Sequence, residues 1–303
     1  MNIIHYTECP ACRDQRISEV FTATDFTVSK QSFSIWSCKG FSLLFTQDVP
    51  DQEGIGPFYQ SADYISHSDT REGLINRLYH VVRERTLYSK YKLVVKETGT
   101  DKRNVLDIGS GSGAFLRTMR KNGWTVQGLE PDPATRERSR VQYQLPVEAP
   151  DQLFHLPDQA FEAITMWHAL EHVHALHEYL DQVRRILKPG GKVFIAVPNH
   201  TSLDASFYRS YWAAYDVPRH LYHFSPEAML RLATAHGFNL RAIHPMWFDA
   251  FYVSLLSEQY RNGKKRVWGY AKAFCNGLLS NLNAWVNPKK CSSLIYVLEI
   301  KPA

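Results

Sequence analysis

The sequence has no long hydrophobic run. Its 303 residues contain no stretch near the roughly 18 consecutive apolar residues that a membrane-spanning helix requires. Residues 1–9 also lack the basic and apolar segments of a signal peptide. We therefore expect no transmembrane segment and a cytoplasmic location.

The chain also has no large excess of charge of either sign and no low-complexity segment. Charged residues make up 21% of the chain, hydrophobic residues 44%, and the formal net charge is +5. This composition is typical of a folded protein and not of a disordered one. The basic residues are scattered apart from 261–266 and 289–290, so we expect no nucleic-acid partner.

A phosphate-binding P-loop is missing, but another glycine run is present. Residues 104–113 read N-V-L-D-I-G-S-G-S-G, a short buried-strand pattern that leads into a turn with three glycines. Glycine allows unusual dihedral angles and lets a ligand approach the backbone closely. A second apolar strand, 125–129, ends before Glu130, about 20 residues past the glycines, where nucleotide-binding folds place a ribose carboxylate.

The spacing D-x-G-x-G-x-G differs from the dinucleotide fingerprint G-x-G-x-x-G, whose third glycine lies inside the helix. It resembles the first motif of the class I S-adenosylmethionine-dependent methyltransferases, an acidic residue followed by G-x-G-x-G. The resemblance implies S-adenosylmethionine as cofactor, with 109–113 under its methionine part and Glu130 on both ribose hydroxyls. A nicotinamide dinucleotide enzyme is the less favoured alternative, because the third glycine is misplaced for it.

Two further segments fit this resemblance. Residues 161–173 read as a strand that ends in a polar and aromatic cluster, and such residues face the ligand crevice of an open parallel sheet. The sequence L-K-P-G-G at 187–191, before another buried strand, is a signpost of the same family. The expected cofactor-binding residues are Asp107, Gly109, Ser110, Gly111, Gly113, Phe115, Glu130, Pro131, Asp151, Trp167, His168 and Glu171.

The alternation of strand and helix patterns predicts the fold class. We expect an α/β fold with a Rossmann-like, seven-stranded, mostly parallel sheet, helices on both faces, and a small N-terminal β-rich ribbon module. The β-rich pattern at 240–245 and 294–300 predicts two closing strands, and the resemblance implies that they are antiparallel. The expected divisions are a zinc-ribbon-like module at 1–50, a helical cap at 51–100 and a methyltransferase domain at 101–303.

A helical insert at about 250–290 is expected between the two closing strands. It has helical apolar spacing and basic residues from 261 to 272. We expect it to cover the acceptor pocket or a dimer seam. A membrane surface, a protein partner or a lipid-like acceptor are the alternatives.

Cysteine is also scarce, but two of the five cysteines form a C-x-x-C pair, Cys9 and Cys12. In a chain without secretion signals such a pair is more typical of zinc than of a disulfide. The pattern resembles the N-terminal ribbon of many bacterial methyltransferases, with a partly degenerate second knuckle in which only Cys38 is present. Structural zinc takes four ligands, so His5 or another residue would have to complete the site. Zinc binding and its loss both stay open.

An aromatic segment, 58–67, precedes a long pattern with apolar residues three and four positions apart. This spacing predicts an amphipathic helix packed on the sheet domain. In the related methyltransferases the aromatic segment folds over the cofactor, which makes Tyr59 and Tyr64 candidate lid residues. The alternative is that both tyrosines fill the seam between modules.

The acceptor side is expected in the segment 211–225, which is dense in aromatic and titratable residues. It resembles the region before the sixth helix of small-molecule C- and O-methyltransferases, where a histidine often stands near the acceptor. A hydroxyl or acidic carbon must lose a proton during methylation, and neutral histidine suits that task. We predict His220 as general base, His172 second, and Tyr222 as a positioning group.

The leading functional hypothesis is methyl transfer from S-adenosylmethionine to a small-molecule acceptor, by O- or C-methylation. Sugars, quinones and lipid-linked intermediates are candidate acceptors. The alternative is a non-catalytic or protein-modifying relative that keeps the cofactor fold and docks through its N-terminal module. Either a monomer or a dimer is compatible with the sequence.

Overall fold

Two β-sheets and a short strand pair form the framework of the protein. The computed structural model describes residues 2–60, 74–99, 103–263 and 267–302, without the side chains of 74–82 and 267. The candidate lid residue Tyr64 lies outside these ranges. The strands are β1 (Ile3–Ile4), β2 (Ile17–Thr24), β3 (Ser32–Cys38), β4 (Leu43–Thr46), β5 (Val49–Pro50), β6 (Asn104–Ile108), β7 (Thr125–Leu129), β8 (Val147–Glu148), β9 (Phe161–Trp167), β10 (Leu187–Pro198), β11 (Tyr222–His223), β12 (Phe238–Pro245) and β13 (Ser293–Ile300).

Three of the helices begin after a residue whose side chain caps them. Ser225, for example, accepts a hydrogen bond from the backbone N–H of Ala228 at 3.0 Å, with Pro226 in the first turn. Within the described ranges, no helix is both long and apolar enough to cross a membrane. The helices are α1 (Leu74–Thr98), α2 (Ala114–Lys121), α3 (Pro133–Tyr143), α4 (Leu176–Ile186), α5 (Leu203–Tyr208), α6 (Pro226–Ala235), α7 (Asp249–Asn262) and α8 (Val267–Val286).

The central sheet has seven strands in the order β12-β13-β10-β9-β6-β7-β8. The five strands from β10 to β8 are parallel, whereas β13 runs antiparallel to both β10 and β12. The predicted Rossmann-like, mostly parallel sheet with an antiparallel closing pair is therefore confirmed. The carboxyl ends of β6 and β9 are neighbours in this order, so the motifs that follow them meet at one edge of the sheet.

Side chains on successive residues of the central strands enter two different cores, because the side-chain period of a strand is two. In β10, Val193 and Ile195 belong to a core that also contains residues of α4 and α6. Phe194 and Ala196 belong to the core on the other face, with residues of α1 and α2. The sheet is thus buried on both faces, as parallel sheets require.

The N-terminal module is joined to the rest of the chain through its own sheet. This four-stranded sheet has the order β11-β4-β3-β2, and β11 comes from the carboxyl-terminal half of the sequence. Tyr222 pairs with Phe45 and His223 with Leu44. The strand that follows His220 therefore completes the sheet of the N-terminal module.

A buried guanidinium crosses the seam between the two halves. Arg219 is 1% exposed and donates to Asp25 Oδ1 at 3.0 Å, Asp216 Oδ1 at 2.6 Å and the Phe58 carbonyl at 2.7 Å. Burial opposes ionisation of Asp25 and Asp216, but Arg219 outweighs it and lowers the pKa of both carboxyl groups. The three groups form a charged network that fixes the loop before β11.

Replacing Arg219 with methionine should destabilise the fold by about 3–5 kcal/mol, because the buried Asp25 and the half-buried Asp216 lose their cationic partner. Arg231→Met is the matched control, since Arg231 pairs with Glu227 on the exposed surface of α6 and should contribute under about 1 kcal/mol. Denaturant unfolding of both variants measures the difference. Equal losses in the two variants would contradict the assigned role of the network.

Candidate active site

The glycine run turns the chain between β6 and α2. Gly109, Gly111 and Gly113 have φ angles of 76°, 52° and 72°, which side chains rarely adopt. A Cβ on Gly109 would lie 2.7 Å from Ala169, and one on Gly113 would lie 2.3 Å from Leu145. A Cβ on Gly111 would meet no atom of the described residues within 4 Å. Gly111 is therefore where the turn faces space that a ligand can enter.

Two carboxylates flank this turn. Glu130, after β7, accepts hydrogen bonds from the backbone N–H groups of Gly111 at 2.8 Å and Asp132 at 3.0 Å. Asp107, in β6, accepts one from the Thr165 hydroxyl at 2.6 Å. Burial raises the pKa of Asp107 to about 7 and also raises the pKa of Glu130. The structure thus brings both expected cofactor-binding carboxylates to the glycine turn.

A lysine that sequence reasoning missed approaches the same place from α1. Lys90 Nζ lies 4.4 Å from the centroid of the Trp167 ring. Burial lowers the pKa of Lys90, while the carboxylates of Asp249 and Asp107 favour its charged form. Phe115 packs edge-on against Trp167, with ring centroids 5.3 Å apart. The cation is thus held beside the ring and the acidic end of β6.

Two polar groups near the turn lack partners among the described residues. They are the Ser110 hydroxyl and Trp167 Nε1, both buried. Buried polar groups without partners are uncommon, and a bound ligand is one way to satisfy them. Pro131 and Asp151, the remaining expected contacts, are exposed, and Asp151 lies in the short 3₁₀ helix Pro150–His155. The residues present therefore fit a polar cofactor at this edge of the sheet.

His168 lies between two carboxylates just beyond β9. Its Nδ1 is 3.4 Å from Glu171 Oε1, and its Nε2 is 3.1 Å from Oδ2 of Asp249, the first residue of α7. Burial disfavours protonation of His168, but Asp249 and Glu171 outweigh that effect and raise its pKa to about 9. At neutral pH His168 is therefore an imidazolium. Asp249 is the second functional candidate that sequence reasoning missed.

Glu171, His172 and His220 form a second cluster. One donor atom from each lies within 4.8 Å of the others, and the two imidazole rings meet edge to face with centroids 4.5 Å apart. Glu171 is 0% exposed, and neither of its oxygens accepts a hydrogen bond from the described residues. Burial, together with His220, lowers the pKa of His172 to about 4, so this imidazole is neutral.

Hydrogen bonds define the tautomers of both histidines. His172 Nδ1 lies 3.0 Å from the Arg219 carbonyl oxygen, and His220 Nδ1 lies 2.9 Å from the Ala214 carbonyl oxygen. A carbonyl oxygen only accepts, so each Nδ1 carries a proton, and the neutral ring of His172 keeps an unprotonated Nε2. Such a pair can accept a proton, and with Glu171 it has the donor types that bind a divalent metal ion.

The two tyrosines predicted near the site have different surroundings. The Tyr59 hydroxyl lies 3.1 Å from His172 Nδ1, at the base of the histidine cluster. Tyr222 is buried beside Tyr6, and its hydroxyl donates to the His174 carbonyl oxygen at 3.3 Å. These contacts hold the Tyr222 hydroxyl against Tyr6 and the His174 carbonyl oxygen, and neither is with His172 or His220. The positioning role of Tyr222 stays a prediction.

The N-terminal thiols come together as the C-x-x-C pattern predicts. Donor atoms of Cys9, Cys12 and Cys38 lie within 4.8 Å of one another, and the sulfurs of Cys12 and Cys38 are 3.6 Å apart. Phe41 occupies the position of the missing second cysteine of the knuckle, and His5 is bonded to Asp48 at 2.7 Å. Three protein donors are one fewer than structural zinc takes.

The family follows from comparison with known proteins. Residues 80–243, more than half of the chain, match a family model described as a methyltransferase domain. The chain therefore belongs to the class I S-adenosylmethionine-dependent methyltransferases, as the glycine run predicts. S-adenosylmethionine is the cofactor of this family.

Similar curated proteins act in quinone biosynthesis, according to their names. The chain is 32% identical over 120 residues to demethylmenaquinone methyltransferase of Tropheryma whipplei, which is 38% of this chain and 50% of that protein. It is 27% identical over 195 residues to ubiquinone biosynthesis O-methyltransferase of Aeromonas salmonicida, 59% of this chain and 79% of that protein. The chain thus spans about half the length of the former relative.

Solved structures share the fold. Phosphoethanolamine N-methyltransferase 2 of Haemonchus contortus superposes with a TM-score of 0.52 at 18% identity, over 86% of this chain and 63% of that chain. Geranyl diphosphate C-methyltransferase of Streptomyces coelicolor superposes with a TM-score of 0.50 at 15% identity, over 77% of this chain and 86% of that chain. At these identities the likeness concerns the fold alone.

The raised pKa of His168 predicts a pH-dependent contribution to stability. Because the folded-state pKa of about 9 lies above the unfolded value, this contribution is complete below the unfolded pKa and is lost as pH rises through about 9. The free energy of unfolding of the unliganded wild type should exceed that of His168→Gln more at about pH 6 than at about pH 9.5. Denaturant titrations of both proteins test this. A difference independent of pH would contradict the pairing with Asp249 and Glu171.

Proposed function

We propose that this protein transfers a methyl group from S-adenosylmethionine to a hydroxyl or an acidic carbon of a small molecule. The observation that carries the proposal is the cluster of Glu171, His172 and His220. Its first two residues closely follow Ala169, which lies against Gly109 of the glycine turn. Its two imidazole rings meet edge to face beside the buried, ionised carboxylate of Glu171, and such a carboxylate can support a histidine general base.

The cofactor would occupy the space at Gly111. Glu130 would accept hydrogen bonds from the ribose hydroxyls, and Trp167 with Phe115 would supply apolar surface. The Lys90 ammonium would attract the carboxylate of the methionine part. When bound, the cofactor supplies an electrophilic methyl group on a sulfonium, so the remaining task of the chain is to align the acceptor and take up its proton.

His220 is the proposed base. Its Nδ1–H donates to the Ala214 carbonyl oxygen, which fixes the ring, and its Nε2 lies 3.9 Å from Asp216 Oδ2. Glu171, buried and ionised nearby, would stabilise the imidazolium that forms. The neighbouring His172 is held in place by the Arg219 carbonyl oxygen and the Tyr59 hydroxyl. His168 is already protonated and is therefore a poor base.

The proposed acceptor is a small molecule with an ionisable hydroxyl or an activated carbon, such as a quinone precursor. The names of the two curated relatives favour this class among the acceptors considered. A sugar or a lipid-linked intermediate with an equivalent hydroxyl is the alternative. All of them share the need for a base near the transferred methyl group.

Cofactor binding can be tested by calorimetric titration with S-adenosylhomocysteine. Gly111→Val should abolish detectable binding, because a side chain at φ +52° strains the turn and fills the ligand space. Gly190→Val is the matched control: Gly190 has φ +79° and equally open surroundings among the described residues, but it lies at the opposite end of β10. It should bind like the wild type. Absence of binding to the wild type would refute the enzyme hypothesis.

The base can be tested with isotopically labelled donor and a small-molecule extract. His220→Gln should lower the rate of label transfer by roughly 10²- to 10⁴-fold while S-adenosylhomocysteine binding is retained. His5→Gln, which changes an exposed histidine paired with Asp48, should leave the rate unchanged. A His220→Gln variant with the wild-type rate would show that proximity alone accounts for catalysis.

A further inference from the structure

Helix α8 buries its small residues and exposes its large apolar residues, whereas an ordinary surface helix buries its large apolar residues. Its buried positions hold small residues, Ala273, Gly277, Ser280 and Ala284. A Cβ on Gly277 would lie 2.7 Å from the ring of Phe251 in α7, so the small face is required for close packing. The large apolar residues of α8 are exposed. They are Trp268, Tyr270, Phe274, Leu278, Leu279, Leu282, Trp285 and Val286.

Polar bonds fix this orientation. Ser280 Oγ donates to Asp204 Oδ1 at 2.8 Å, and Asn276 Nδ2 donates to the Tyr208 hydroxyl at 3.0 Å. Both bonds join the inward side of α8 to α5. A rotation that buried the large apolar residues would break these bonds and would force large side chains into the contact with α7. The outward apolar residues are therefore a stable feature of the surface.

The exposed apolar surface continues onto the residues just before α7 and onto its first turn. Trp247, Phe248 and Tyr252 are each at least 40% exposed, and Asn281 of α8 donates to the Trp247 carbonyl at 2.7 Å. We call these three residues and the exposed residues of α8 the apolar face. Asp249, which contacts His168, follows Phe248 directly. The apolar face thus borders the candidate active site.

The sequence segment that contains α8 carries charge of one sign. Between Glu258 and Glu299 the sequence has no acidic residue and seven basic ones. The basic residues are Arg261, Lys264, Lys265, Arg266, Lys272, Lys289 and Lys290. A second copy of the chain that used the same face would bring like charges together, whereas an anionic lipid surface would complement them.

Tryptophans stand at both ends of the helix. Trp268 is 81% exposed and Trp285 is 78% exposed. They are 17 positions apart, about 25 Å along the helix axis. Tryptophan favours the boundary between lipid headgroups and acyl chains, so two such anchors suit a helix that lies flat in a bilayer surface.

We propose that the apolar face docks this protein on an anionic lipid bilayer, with α8 parallel to the membrane plane. The inference is independent of the methyl-transfer proposal, because it depends only on the exposed face and its charge. Docking would place the edge of the sheet that carries His168 near the lipid surface.

Vesicle co-sedimentation tests the proposal. The wild type should bind vesicles that contain phosphatidylglycerol in phosphatidylcholine, more weakly at high salt, and should bind pure phosphatidylcholine far less. The double variant W268S/W285S should bind the anionic vesicles at least about tenfold more weakly. V141S/L230S is the matched control, since Val141 and Leu230 are exposed apolar residues on α3 and α6. It should bind like the wild type.

Several results would overturn the proposal. One is failure of the wild type to bind anionic vesicles, and another is equal loss of binding in both double variants. A third is a dimer in sedimentation equilibrium that W268S/W285S dissociates without any lipid binding, which would assign the apolar face to a second copy. Circular dichroism of all variants separates these results from a loss of folding.

Discussion

The acceptor side of the candidate site depends on one buried guanidinium. Arg219 binds Asp25 of the N-terminal module and Asp216 of its own loop, and its carbonyl oxygen accepts from His172. The next residue is His220. Displacement of this loop would separate Arg219 from the buried carboxylate of Asp25 and leave that carboxylate without its cationic partner, which is costly. The N-terminal module therefore supports the histidine cluster through an ion pair, whether or not its thiols hold a metal ion.

Local sequence patterns were sufficient for the cofactor side. Each of the three motifs follows a strand that a short apolar run identifies. The motifs are the glycine turn, Glu130 and the residues after β9. Because the carboxyl ends of parallel strands lie at one edge, these motifs converge once the strand order is known. The sequence therefore predicts both the fold class and the place of Asp107 and Glu130 beside the turn.

Residues from distant elements could not be predicted in the same way. Lys90 enters from α1 and Asp249 from α7, and their approach depends on how these helices pack on the sheet. Pairing of β11 with β4 likewise sets the direction of Tyr222, toward Tyr6. Such placements depend on long-range packing, which cannot be inferred from the local periodicity of one sequence. The exposed face of α8 is a similar case, since helical spacing alone does not say which face is inward.

The central claim is that the histidine cluster serves methyl transfer to a small molecule at a cofactor site built on the glycine turn. Mass spectrometry of a small-molecule extract incubated with the protein and trideuteromethyl-labelled S-adenosylmethionine tests it most directly. The account predicts a small-molecule product that carries one trideuteromethyl group and is absent when Gly111→Val replaces the wild type. Label found on protein alone, or no labelled product while S-adenosylhomocysteine binds, would contradict it.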